Sequence, residues 1–75
     1  MSILSPISVR KMERIIGKFG FQCLRQKGDH AFYEHPDGRI VMLIIHYGED
    51  ISRGLLHKII TEDLRLTVEE FNRLK

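Results

Sequence analysis

Four histidines, His30, His35, His46 and His57, are the only side chains of this 75-residue sequence whose ordinary pKa lies near neutrality. Acid–base chemistry is therefore sought among them first. His57 falls in a helical pattern and reads as a surface residue, while His35 and His46 end strands, where a satisfied or solvated ring is the usual finding. His30 differs because it opens a strand directly after Gly28-Asp29, with Lys27 on the other side of the turn. In a two-residue hairpin loop the flanking residues oppose each other with Cβ atoms about 4.5–5.5 Å apart. Lys27 would then set an ammonium beside the His30 imidazole, and Arg25, two residues back on the same face, would extend a site for a phosphate. Such a group could abstract a proton next to a bound phosphate; the bland alternative is a polar turn.

Other chemistries find little support. Zinc signatures, a Walker loop, a dinucleotide fingerprint and a nucleophile elbow are absent from the sequence. His30, His35, Asp37 and His46 match no ligand spacing, so neither a metal nor a cofactor is expected. The single cysteine, Cys23, cannot form an internal disulfide, which fits a reducing compartment; mid-strand, it reads as a buried, inert thiol. Glu62, Asp63, Glu69 and Glu70 fall at helix ends, where capping and solvation account for them.

The elements that must position His30 follow from periodicity. Ser8 and Gly20 bracket a helix in which Val9, Met12, Ile15, Ile16 and Phe19 face a core. Arg10, Arg14 and Lys18, four apart, line its opposite face with Lys11 beside them. Phe21 to Lys27 and His30 to His35 read as a hairpin, Pro36-Asp37-Gly38 as a turn, and Arg39 to His46 as a third strand. For the inner face of that meander, the set Phe21, Cys23 and Phe32 is preferred over Leu24, Ala31 and Tyr33. A second helix is predicted from Ser52 to Asp63 with Leu55, Leu56, Ile59 and Ile60 buried, and a capping box at Thr67 to Glu70 opens a short last helix. The order α-β-β-β-α plus a short C-terminal helix predicts an α+β domain, a three-stranded antiparallel sheet with helices on one face and the other face open.

At this length the chain accommodates one domain, residues 1–75, with one small core. Its 43% hydrophobic and 29% charged residues set disorder aside. The longest apolar run, six residues from Ile40 to Ile45, is far short of the roughly 20 needed to span a bilayer, so no membrane partner is expected. The opening Met1 to Pro6 lacks a charged segment followed by an apolar one, so secretion is not expected and the cytoplasm is. Before Gly28 there are six basic residues and one acid, Glu13; from Gly28 onward nine acids outnumber six bases. A polyanion would be drawn to the first half.

A series of short motifs in order, Phe19-Gly20-Phe21, Arg25-Gln26-Lys27-Gly28-Asp29-His30, Tyr33 to Arg39, His46-Tyr47-Gly48-Glu49-Asp50-Ile51 and Leu66 to Phe71, resembles the HicA (YcfA-like) toxins over nearly the whole chain. The resemblance implies a double-stranded RNA-binding-domain-like fold. It also implies an mRNA interferase of a toxin–antitoxin pair, neutralised by a HicB-type antitoxin, with His30 as the catalytic histidine. Lys27, Arg25, Arg10, Lys11, Arg14 and Lys18 would then be the RNA-binding groups. The sequence departs from the family pattern at Asp29, which puts a carboxylate beside the site where Ser or Thr is usual. It departs again at Ala31, where many members carry a second histidine, and at Arg53, where Pro precedes Gly54. The other readings are a non-catalytic RNA-binding module that uses the basic first helix, and an adaptor whose basic face meets an acidic protein.

Overall fold

The computed structural model describes residues 4–74. Met1, Ser2 and Ile3, part of the stretch read for a secretion signal, and Lys75 lie outside the described residues. Strand β1 (Ile7–Ser8) runs straight into helix α1 (Val9–Phe19). Ser8 is extended, and its hydroxyl accepts from the Lys11 N–H at 3.1 Å, satisfying a donor of the first turn. Val9, Met12, Ile15 and Ile16 are buried, as their spacing predicts. Gly20 ends the helix at φ 115°, its N–H turned back to the Gly17 carbonyl. A Cβ at that position would lie 3.0 Å from Nε2 of His35, so the ring packs against bare backbone.

Strands β2 (Gln22–Lys27), β3 (His30–Glu34) and β4 (Ile40–Ile44) form the expected antiparallel meander in the order β2-β3-β4. A second, two-stranded ribbon lies outside the predicted elements: β5 (Asp50–Ile51) pairs with β1 through Ile7↔Ile51 and Ser8↔Asp50. It fastens the lead-in of α1 to the lead-in of the second helix. On β4, Val41 and Leu43 point into the core while Ile40, Met42 and Ile44 stay exposed, so the helices cover one face and the other is open.

Neither face assignment for β2 and β3 survives intact. Cys23 pairs with Tyr33 but Arg25 pairs with Phe32, so the register slips at Leu24. This bulge reverses which way the residues on either side of it point. Phe21 and Ala31 are buried and Tyr33 packs against the core, whereas Phe32 belongs to the open face. Cys23 is exposed rather than buried, because β2 is an edge strand and Leu24 beside it is 60% exposed.

Helix α2 (Arg53–Lys58) is capped by Ser52, whose hydroxyl accepts from the Leu55 N–H at 3.4 Å. The predicted single helix changes its winding at Ile59, and Ile59–Asp63 form a π turn closed by the Leu64 N–H on the Ile59 carbonyl at 2.8 Å. Five-residue winding stacks residues five apart. Leu64 joins Ile59 and Ile60 in the core, whereas Leu55 is exposed rather than buried. The turn ends on Arg65 at φ 56°, with the Leu66 N–H on the Ile60 carbonyl at 2.9 Å. A side chain in that left-handed conformation is strained, so Arg65→Gly is expected to raise stability by up to about 1 kcal/mol in urea titrations. Helix α3 (Val68–Leu74) opens with the predicted capping box, Thr67 N–H to Glu70 Oε1 and Glu70 N–H to Thr67 Oγ1, each 3.0 Å, and drives Phe71 into the core.

Candidate functional site

The β2–β3 turn is a two-residue loop, Gly28-Asp29, with Gly28 at φ 61°, and it makes Lys27 and His30 direct ladder partners. On its other side His30 pairs with Ile44, so all three strands meet at this end of the sheet. Because β4 runs antiparallel to β3, its C-terminal end arrives at the turn. The Ile45 N–H donates to the Asp29 carbonyl at 2.7 Å, and His46 comes to rest beside the Asp29 side chain.

A row of four side chains results. Asp29 Oδ1 lies 2.9 Å from His30 Nδ1, Asp29 Oδ2 lies 2.7 Å from His46 Nε2, and His46 Nδ1 lies 3.2 Å from Glu49 Oε2. The hydrogen bond to His46 is the main influence holding the Asp29 carboxyl below its ordinary pKa. The same bond, followed by that to Glu49, pushes the His46 pKa up. An ionised carboxylate can only accept hydrogen bonds. His30 therefore presents Nδ1–H to Asp29, and when the ring is neutral its lone pair is on Nε2. Its side chain is 48% exposed.

Lys27, Arg25 and His30 share the open face of the sheet, as their register partners show. Arg25 lies over the Phe32 ring, 5.2 Å from its centroid, within the range of a cation–π contact. The cations of α1 are placed differently. Arg10 sits 4.7 Å over the Tyr47 ring, next in sequence to His46. Lys11, Arg14 and Lys18 are exposed on the outer side of α1, in the helical layer, and so belong to a different surface from His30. Glu13, the one acid of that helix, accepts from the hydroxyls of Tyr33 at 2.8 Å and Tyr47 at 3.0 Å, which ties the His46 loop to α1. Burial, and then the Glu13 bond, raise the Tyr33 pKa, and Glu13 does the same for Tyr47, so both phenols keep their protons.

His35 is satisfied, in line with its reading from the sequence. Its Nε2 donates to the Phe19 carbonyl at 3.1 Å, and the ring packs against Phe19 and Phe21. Beside it, Arg39 pairs with Asp37 at 2.6 Å, holding that carboxyl down to about 2, and donates to the Leu64 carbonyl at 2.6 Å. This cluster fastens the β3–β4 turn to the helix ends. His57 is exposed on α2.

Sequence reasoning placed Lys27, Arg25 and His30 together because turn length dictates it. It missed the roles of Asp29 and Glu49 in orienting the two rings. The signal that could have joined His46 to Asp29 is the meander itself, since the end of a third antiparallel strand must return to the first turn.

Residues 9–65, more than half of the chain, match the family model described as HicA toxin of bacterial toxin-antitoxin. The chain belongs to the HicA toxin family. The region matched to the HicA family runs from the start of α1 to Arg65 and so includes the whole row from Asp29 to Glu49, while α3 lies beyond it. No curated protein matches the sequence.

Proposed function

We propose that this chain, as a single domain, is an endoribonuclease toxin that cleaves mRNA in the cytoplasm without a metal and is neutralised by a HicB-type antitoxin covering the site. One observation carries this reading: a half-exposed imidazole at a hairpin tip, with its Nδ1 held by a carboxylate and a lysine opposite it in the ladder. A base held in place by a third group is a signature of general-base catalysis. His30 Nε2 takes the proton of a ribose 2′-hydroxyl as that oxygen bonds to the adjacent phosphorus. The bond from phosphorus to the 5′-oxygen breaks, water protonates the departing oxygen, and a 2′,3′-cyclic phosphate remains. Lys27, and Arg25 beyond it, face the charge that builds on the phosphoryl oxygens. Arg10, Lys11, Arg14 and Lys18 hold more distant stretches of backbone, in contacts that are blind to sequence and weaken with salt. Among the described residues no helix is long and apolar enough to cross a membrane, which fits an enzyme that meets mRNA.

The test is incubation of the purified protein with single-stranded RNA in the presence of a chelator. Products ending in 2′,3′-cyclic phosphate and 5′-hydroxyl are expected, with a rate that falls as salt rises. Binding that falls with salt, with intact RNA after hours, would replace this reading with a non-catalytic RNA-binding module based on α1. Absence of any RNA affinity at low salt would leave a protein-binding adaptor.

A further inference from the structure

We propose that His46 is a positioning residue for this reaction: held as an imidazolium between Asp29 and Glu49, it neutralises the carboxylate that aims His30. The inference rests on the reading of His30 as the base. Asp29 creates a difficulty for that reading, because a bare carboxylate beside the reacting phosphate would repel the RNA. The structure supplies the remedy in Asp29 Oδ2, which is not bare but bonded to His46 Nε2 at 2.7 Å. Both ring nitrogens of His46 face carboxylate oxygens, the second at 3.2 Å from Glu49, and two acceptor-only partners favour the doubly protonated ring. With both N–H groups engaged, His46 is not free to protonate a leaving group, so its influence passes through Asp29.

The charged and titratable groups around His46 come from every element near it. The hairpin tip contributes Asp29, His30 and Lys27, and its own loop and β5 contribute Glu49 and Asp50. From α1, Arg10 stacks on the adjacent Tyr47, and Glu13 accepts from that phenol. Of these, only Asp29 and Glu49 touch the His46 ring in ion pairs. Glu13 is already engaged by Tyr33 and Tyr47.

The pH profile of kcat/KM for cleavage of single-stranded RNA tests the proposal, with His30→Ala as the blank. Wild-type activity should fall on the alkaline side as His46 loses its proton, at a pH above the ordinary histidine value of about 6.5. His46→Gln keeps a hydrogen-bond donor but no charge. Its activity should be lower at neutral pH by about tenfold, the scale on which one neighbouring charge alters a local equilibrium, and should show no alkaline fall. His46→Lys restores a cation and should bring back near wild-type activity that stays level through the same alkaline range. A His46→Gln profile that overlays the wild type, or one that is depressed but keeps the alkaline fall, overturns the proposal. Cleavage by His30→Ala equal to the wild type would instead overturn the reading of His30 and leave the coupling to be judged by a second measurement. In NMR titrations, which need no turnover, the His30 ring signals should shift in step with His46 in the wild type and cease to do so in Asp29→Asn. Independent titration in the wild type overturns the proposal whether or not RNA is cleaved.

Discussion

Alanine in place of His30 should lower the rate of RNA cleavage by about 10²–10⁴-fold, the usual contribution of a positioned general base. The effect should fall on kcat, because the proton is transferred only as the 2′-oxygen attacks, and RNA affinity should change little. Stability should change little as well. The ring sits at an exposed turn and its hydrogen bond is to a half-exposed carboxylate, so the melting midpoint should stay close to that of the wild type. That separation of activity from folding gives the experiment its force. A single-turnover assay at fixed salt, run beside a urea titration, distinguishes a missing base from a damaged fold. Equal cleavage by the two proteins would rule out His30 as the base.

The largest effect on folding is expected from Phe71→Ala. Phe71 has no solvent-accessible surface and is the largest of the fully buried side chains, and it comes from a seven-residue helix at the end of the described chain. Removing a buried phenyl costs about 3–5 kcal/mol, most of it as an unfilled cavity. A domain of this size with no disulfide seldom has more than about 3–5 kcal/mol in total. The variant should therefore be mostly unfolded at room temperature, lose its cooperative urea transition and lose activity with it. Retention of a sharp transition near the wild-type midpoint would show that α3 is an appendage rather than part of the core. The result matters because α3 lies beyond the segment matched to the HicA family, residues 9–65. A fragment cut to those limits would lack Phe71 and should fail to fold.

Much of this architecture is legible in the sequence where a local rule is strong. Ser8 and Gly20 delimit α1 because capping chemistry acts within one turn, and Thr67 with Glu70 announces α3 for the same reason. Lys27 and His30 come together because a two-residue loop leaves no other register. What escaped notice depends on relations between distant segments or on single irregular residues. The β1–β5 ribbon has two residues in each strand, too few for any periodicity. The π turn at Ile59–Asp63 changes winding within an unbroken apolar stripe, and Leu55, which that stripe assigns to the core, is exposed. The Asp29–His46 contact joins residues seventeen apart and requires the register of two consecutive hairpins.

The slip at Leu24 reaches beyond the burial of one strand. Upstream of it, Phe21 serves the hydrophobic interior and Cys23 points the same way as Tyr33; downstream, Arg25 and Lys27 belong to the surface that carries His30. One supernumerary position is thus absorbed without changing which compartment of the molecule its neighbours address. Since Leu24 itself packs little and has no ladder partner, both its identity and its presence are nearly free. A one-codon deletion there would join Cys23 directly to Arg25, which already face the consecutive partners Tyr33 and Phe32, so the ladder would become regular with the aromatic anchor still inside and both cations still on the His30 face. Exchange of this residue and its outright loss should both be forgiven in evolution.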